Sequence, residues 1–489
     1  MSYESTLAHL EEHGQGHLLA FYHQLPEDQQ SSLLNQIKSI DIPRVNRIFQ
    51  TAIKADKDAA EDESKETLEP LPSSDTASTT DPKVAESSVP KWKETGMKAI
   101  REGKVGIILM AGGQGTRLGS SAPKGCYDIG LPSGKTLFRM QGERIKKLDQ
   151  LAGGEKGLVW YVMTSGPTRK ETEKYFRDSG FFGLDAENVV FFDQGVLPAL
   201  TNDGKIFLQD RSSVAVAPDG NGGLYAALRQ PLPDLPGNMS VLQHMQSRGI
   251  QHVHAYCVDN CLVRVADPVF LGYSIEKQAE TGAKVVKKRH ATESVGVLAK
   301  RNGKYGVVEY SEMGEKEASM KDPEHPDELA FRAANIANHY FTLEFLQKME
   351  ALEQKMTFHI ARKKIAHVDT TSGEAVKPSQ PNGMKLELFV FDVFPFTERL
   401  AVLEVPRSEE FSPLKNAPGS ASDCPETSRK DILAQHAGWL KNAGCEVEEG
   451  CEVEIDPKVS YAGEGLEAFK GKKVGKSVII DSVDLADKL

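Results

Sequence analysis

Short apolar runs separated by amphipathic stretches dominate the chain from Val105 to about Asp392. The runs are GIILM (106–110), LVWYVMT (158–164), NVVFF (188–192), VHAYCV (253–258), AKVVKK (283–288) and LELFVFDVF (386–394). Strands that are apolar throughout and alternate with helix-like stretches predict an α/β fold with a mainly parallel sheet covered on both faces. Ligands in such sheets bind beyond the carboxyl ends of the strands. Two chemically loaded segments fall at such ends: the glycine-rich stretch after GIILM, and Asp259 after VHAYCV.

The flanks have a different pattern. Leu7, Leu10, Leu18, Leu19 and Phe21, then Leu33, Leu34, Ile37 and Ile40, recur at helical spacing and predict a small helical region over 4–50. Residues 55–92 are rich in Asp, Glu, Ser, Thr and Pro and nearly free of aromatics, which predicts a linker or surface excursion with no core of its own. Beyond about residue 400, KDILAQHAGWLKNAG (430–444) reads as an amphipathic helix, and CEVEIDP (451–457) and KSVIIDS (476–482) read as strands. The expected domains are 1–95, 96–398 and a small β-containing α+β domain over 399–489.

Composition narrows the class. The 489 residues exceed one ordinary domain. An apolar share of 39% with 26% charged residues is that of a soluble globular protein. No run approaches the roughly 20 apolar residues a membrane span needs. MSYESTLAHLEEHGQGHLL lacks a basic segment followed by an apolar one, so a cytoplasmic location is expected. Six cysteines are too few for a disulfide framework, and no His/Cys partners at zinc spacing accompany Cys257 and Cys261. The net charge is −11, but ten acids against three lysines between Asp56 and Pro90 put −7 in that stretch alone. The body is therefore close to neutral and can hold a small polyanion. No basic stripe with interleaved aromatics is present, so no nucleic acid is expected as a partner.

The segment LMAGGQGTRLGSSAPK (109–124) gathers Gly112, Gly113, Gly115 and Gly119 around Arg117 and ends on Pro123-Lys124. Glycines let backbone N–H groups crowd an anion, and the two cations add fixed positive charge, so the segment reads as a phosphate cradle. A P-loop would need G-x-x-x-x-G-K-[ST], but Gly125 follows Lys124. A dinucleotide fingerprint would need G-x-G-x-x-G, but Gly119 falls one residue late, which weakens a nicotinamide oxidoreductase.

The pattern L-x-x-G-G-x-G-T-R-L-G-x-x-x-P-K resembles the loop of sugar nucleotidyltransferases. KGCYDIGLPSGKTLF (124–138), APDGNGGLY (217–225), YCVDNCLVRVADP (256–268), KVVKK (284–288), VVEYSE (307–312), ANIANHYF (334–341), LELFVFDVF (386–394) and EFSPLKNA (410–417) follow in order. Together they resemble the eukaryotic UDP-N-acetylhexosamine pyrophosphorylases from about residue 5 to the C-terminus. The resemblance implies a Rossmann-like nucleotidyltransferase domain that joins UTP and N-acetylglucosamine 1-phosphate into UDP-N-acetylglucosamine and pyrophosphate. It implies Mg2+ (or Mn2+) as cofactor, N-acetylgalactosamine 1-phosphate as a second acceptor, and a monomer or weak homodimer. UDP-glucose pyrophosphorylase or a broad UDP-sugar enzyme is the alternative. A non-catalytic nucleotide-sugar sensor would be expected to lack the cations and carboxylate present here.

The resemblance also assigns residues. Arg117, Lys124 and Lys415 would neutralise phosphate charge, and Asp259 would lie by the nucleotide phosphates and hold the metal. Leu109, Ala111, Gly112, Gly113, Gln194 and Gly220 would bind the nucleotide. An amide such as Gln194 can both donate and accept, matching the O4 and N3–H edge of uracil. Asn221, Gly296, Glu309 and Asn335 would contact the sugar, and Phe389 and Phe391, expected on one strand face, would wall the N-acetyl pocket. Lys415 lies outside the nucleotide domain, which suggests that a swing of the terminal domain delivers it. Cys126 stands two residues past Lys124, where a cationic site could lower its pKa, but a packed, inert thiol is the expectation.

Overall fold

The protein is described by a computed structural model covering residues 2–61 and 67–488. The chain forms two compact units. One comprises Met1–Glu66, Gln194–Ala227 and Glu350–Asp392; the other comprises Thr67–Asp193, Leu228–Met349 and Val393–Leu489.

The larger unit is built on an 11-stranded sheet. Its main path runs Thr76–Ser78, Leu400–Glu404, Thr281–Lys287, Ala333–Thr342, His252–Cys257, Val105–Met110, Val159–Thr164 and Val189–Asp193. All neighbours are parallel except at Ala333–Thr342, which is antiparallel to both strands beside it. Val105–Met110 and Val159–Thr164 are buried at every position, which explains their unbroken apolar runs. Ile107, Leu109, Trp160, Val162, Tyr256 and Phe270 belong to one hydrophobic core cluster. The expected mainly parallel sheet is thus present, and five of the six predicted apolar runs lie in it.

The sixth run differs. In LELFVFDVF only the first part is strand, Gly383–Glu387, and it lies in the smaller unit, antiparallel to His359–Lys363 and to Leu200–Thr201. The chain then turns through Leu388–Asp392. An apolar run bears on burial, and a tight turn can be as buried as a strand. The smaller unit also carries helices Tyr3–Glu12, Glu27–Lys38 and Ile42–Glu61, matching the predicted helical region.

The acidic stretch over 55–92 also differs from its composition. Helix Ile42–Glu61 enters it, residues 62–66 lie outside the described residues, and Thr76–Ser78 adds a parallel edge strand to Leu400–Glu404. Helices Pro82–Ser87 and Val89–Arg101 follow, and Trp92 is buried against Tyr273 with ring centroids 4.8 Å apart. A three-residue edge strand is held by backbone hydrogen bonds, which polar composition does not forbid.

The C-terminal segment forms helix Pro425–Asn442 and a parallel pair, Val453–Ile455 with Val478–Ile480. Trp439, Leu440, Val453, Ile455, Phe469 and Ile480 give it a core of its own. No described helix is long and apolar enough to cross a membrane.

Candidate active site

In the larger unit the site is built where two parallel strands end side by side. Cys257 is in register with Met110, so the loops that follow them leave from neighbouring points of the sheet. The loop after Met110 folds back on itself. Gly115 N–H donates to Ala122 O at 3.0 Å, and Lys124 N–H donates to Gly113 O at 3.1 Å. Ser165 Oγ donates to Gly112 O at 2.7 Å, tying the loop to the end of the next strand. This closure returns Lys124 to the strand end it came from, where its Nζ lies 3.2 Å from Asp259 Oδ2.

Leu109 and Ala111 are buried beneath the loop, whereas Gly113 and Arg117 are exposed and Gly112 is half-buried. Arg117 has no carboxylate partner among the described residues, so its charge is uncommitted. Cys126 is half-buried, and that burial, with Glu171 nearby, pushes its thiol up to about 12. Burial and the nearby carboxylate both disfavour the thiolate, the direction expected of a packed thiol.

Lys415 belongs to the same unit. Its strap, Glu410–Lys415, is stitched to the segment carrying Asp259. Leu414 N–H donates to Asp259 O at 2.8 Å, and Cys261 N–H donates to Ser412 O at 2.9 Å. Asn260 bonds both Glu410 O, at 2.7 Å, and Ser412 N–H, at 3.0 Å. Where the strap starts, the fully buried Lys284 pairs with Glu410 and, at 2.6 Å, with Asp267. The residue before Lys415 is thus tied by its backbone to Asp259, while Lys415 N–H donates to Asp423 O at 2.7 Å. The lysine itself is exposed and lines a cavity of about 270 Å³ with Arg289, His290 and Arg407.

Gly296, Glu309 and Asn335 also come together in this unit. A Cβ on Gly296 would lie 2.8 Å from Glu309 Oε1, and Asn335 N–H donates to Gly296 O at 2.9 Å. The carboxylate of Glu309 thus packs on a residue with no side chain, next to the Asn335 amide.

In the smaller unit, Gln194, Gly220, Asn221, Phe389 and Phe391 form a second group. Val216–Pro218 is antiparallel to Val196–Pro198 with Pro218 opposite Val196, so the next residues face each other: Asp219 by Gly195 and Gly220 by Gln194. Gln194 Nε2 donates to Gly220 O at 2.5 Å. Asn221 Oδ1 accepts from Val390 N–H at 3.0 Å, leaving its NH2 group for other partners. Phe389 and Phe391 stack at 5.2 Å with an interplanar angle of 27°. They do so from a turn, not from one strand face: Phe389 N–H donates to Asp392 Oδ2 at 2.7 Å, and the His359 ring packs 4.7 Å from Phe389 while bonding Asp392 at 3.0 Å.

Asp219, His359, Asp392 and Ser165 are supporting residues that the sequence reading did not single out. APDGNGG contains Asp219, but no local pattern shows that its carboxylate turns toward Gln194. His359 is thirty-odd residues from the aromatics it supports, so spacing carries no signal for it.

Comparison with known proteins identifies the family of the chain. Residues 45–432 match the family described as UTP--glucose-1-phosphate uridylyltransferase. The chain is 44% identical over 478 residues to the UDP-N-acetylglucosamine pyrophosphorylase of Saccharomyces cerevisiae, covering 96% of this chain and 98% of the yeast protein. It is 41% identical over 508 residues to the human UDP-N-acetylhexosamine pyrophosphorylase-like protein 1, covering 98% of this chain and 97% of the human one. Among solved structures, the uridine diphosphate N-acetylglucosamine pyrophosphorylase of Trypanosoma brucei, in complex with an inhibitor, superposes with a TM-score of 0.83 at 33% identity. That match covers 95% of this chain and 94% of the trypanosomal one.

Proposed function

The chain belongs to the UTP--glucose-1-phosphate uridylyltransferase family, within it to the UDP-N-acetylglucosamine pyrophosphorylases, and from that premise we infer how its residues carry the reaction. It is a nucleotidyltransferase, a UDP-N-acetylglucosamine diphosphorylase that joins UTP and N-acetylglucosamine 1-phosphate and releases pyrophosphate. A phosphate oxygen of the sugar phosphate attacks the α-phosphorus of UTP in line. The nucleophile is already an anion, so no general base or covalent intermediate is required. The work of the protein is to position two anions and to offset their charge.

Arg117 and Lys124 serve the triphosphate from the glycine loop, and Lys415 serves the sugar phosphate or the transferred phosphoryl group from its strap. The Lys124–Asp259 pair is the observation that carries this reading, because a cation and a carboxylate meet 3.2 Å apart beside the glycine loop. Asp259 Oδ2 faces Lys124, and a half-exposed carboxylate with a second oxygen suits Mg2+, which takes one or two carboxylates with substrate phosphates. When bound, Mg2+ would help offset phosphate charge. Gln194 and Gly220 recognise uracil. Asn221, Gly296, Glu309 and Asn335 orient the sugar, and the stacked Phe389 and Phe391 receive the N-acetyl methyl. N-acetylgalactosamine 1-phosphate is a second acceptor, since it differs only at the 4-hydroxyl.

The test runs the reaction backwards. With pyrophosphate and Mg2+, UDP-N-acetylglucosamine should yield UTP faster than UDP-glucose does, with UDP-N-acetylgalactosamine intermediate. UTP formed mainly from UDP-glucose would overturn the assignment to N-acetylated sugars.

A further inference from the structure

We propose that Asp219 is a positioning residue that fixes the amide of Gln194 so that only its oxygen is left for the base, making the site selective for uracil over cytosine. The inference rests on Gln194 and Gly220 being the base-recognition residues and names what sets their selectivity.

The argument starts from hydrogen-bond capacity. An amide offers two N–H donors on one side and a carbonyl on the other, and its orientation follows from its neighbours. Gln194 Nε2 has two acceptors, Gly220 O at 2.5 Å and Asp219 Oδ1 at 3.4 Å. A flipped amide would set its oxygen against both, so the NH2 group is committed inward and Oε1 faces away. Gly220 N–H has no acceptor among the described residues. An acceptor on Gln194 beside a donor on Gly220 complements N3–H and O4 of uracil. Cytosine presents an acceptor at N3 and a donor at N4, so it meets a mismatch at both points.

The surroundings of Asp219 fit a positioning role. The residue is 5% exposed, and no cation pairs with its carboxylate among the described residues. Burying an unpaired carboxylate costs stability. Burial pushes Asp219 up to about 6 against the pull of the Gln194 bond; Arg44 also lowers it, and Glu353 raises it. Glycines wall the carboxylate. A Cβ on Gly195 would lie 2.6 Å from Oδ2, and one on Gly223 only 1.8 Å from Oδ1. Its backbone is pinned as well: Leu388 N–H donates to Asp219 O at 2.9 Å. A slot cleared of side chains around a costly carboxylate that bonds one amide is explained if the direction of that amide matters.

The test measures kcat/KM for UTP and for CTP in the full-length enzyme. Asp219→Ala should raise KM for UTP about tenfold, leave kcat within about threefold, and shrink the UTP:CTP preference by about tenfold or more. Asp219→Asn, which can still accept from Gln194 Nε2, should keep most of that preference. If the alanine variant does not fold, Asp219→Ser, whose hydroxyl is too short to reach Gln194, takes its place. An unchanged UTP:CTP ratio in folded Asp219→Ala or Asp219→Ser overturns the proposal. Gln194→Ala separates the two layers. If it too leaves the ratio unchanged, the base-recognition reading fails. If it abolishes the preference while the Asp219 variants keep it, only the positioning role fails.

Discussion

Lys124 Nζ and Asp259 Oδ2 stand 3.2 Å apart although the residues are 135 positions apart in sequence. Parallel register puts the ends of their two strands together, and the folded-back glycine loop does the rest. Their side chains are 17% and 26% exposed, so the pair is neither buried nor free. Such a pair adds little to stability, roughly 1 kcal/mol or less. Under the proposed function, its value lies in holding a cation and a carboxylate ready where phosphates would arrive.

Lys124→Ala should therefore lower kcat/KM by about 10²- to 10³-fold with little change in thermal midpoint. Steady-state kinetics and a melting curve on the same preparation check this. A large drop in melting temperature would mean that the pair is structural.

Asp259→Asn should reduce activity and shift the Mg2+ dependence to higher concentration, because a neutral amide is a poorer partner for a hard cation. Titrating rate against Mg2+ at saturating UTP reads this directly. An unchanged titration would remove Asp259 from metal binding.

The Cys126 thiol, pushed up to about 12, should stay protonated and unlabelled by iodoacetamide at pH 8 over a period in which an exposed cysteine reacts. Mass spectrometry with and without UTP should show no difference at this residue. Labelling that UTP protects against would show a reactive thiol.

Gly220→Ala should be strongly destabilising. Gly220 has φ +83, and an added Cβ would lie 2.2 Å from Leu388 O, a backbone atom with no room to move. A loss of ~3 kcal/mol, seen in denaturant melts, should accompany a higher KM for UTP.

Asp219 makes stability depend on pH with a definite sign. Its pKa is higher folded, about 6, than the ordinary 3.8, so between these values the native state holds the extra proton. Its contribution to stability therefore falls as pH rises from about 4 through about 6. Asp219→Asn should flatten that window and gain up to ~3 kcal/mol at pH 7, the free-energy equivalent of such a shift. Denaturant melts of both proteins across pH 4 to 8 compare the slopes.

Much of this protein is set locally and can be read in order along the chain. Unbroken apolar runs specified the parallel strands because a strand buried on both faces needs apolar side chains at every position. Glycine spacing with Arg117 and Lys124 pointed to the proposed phosphate cradle because backbone N–H groups and nearby cations act within one loop. The fold decided what depends on register and return. It turned LFVFD out of the strand and stacked Phe389 on Phe391 with His359 and Asp392 in support. It joined Leu414, the residue before Lys415, to Asp259 through the backbone of a strap. It also set Asp219 beside Gln194 through the pairing of Val216–Pro218 with Val196–Pro198. Local sequence limits which conformations a segment can take, but the direction of a side-chain amide depends on acceptors that only long-range strand pairing supplies.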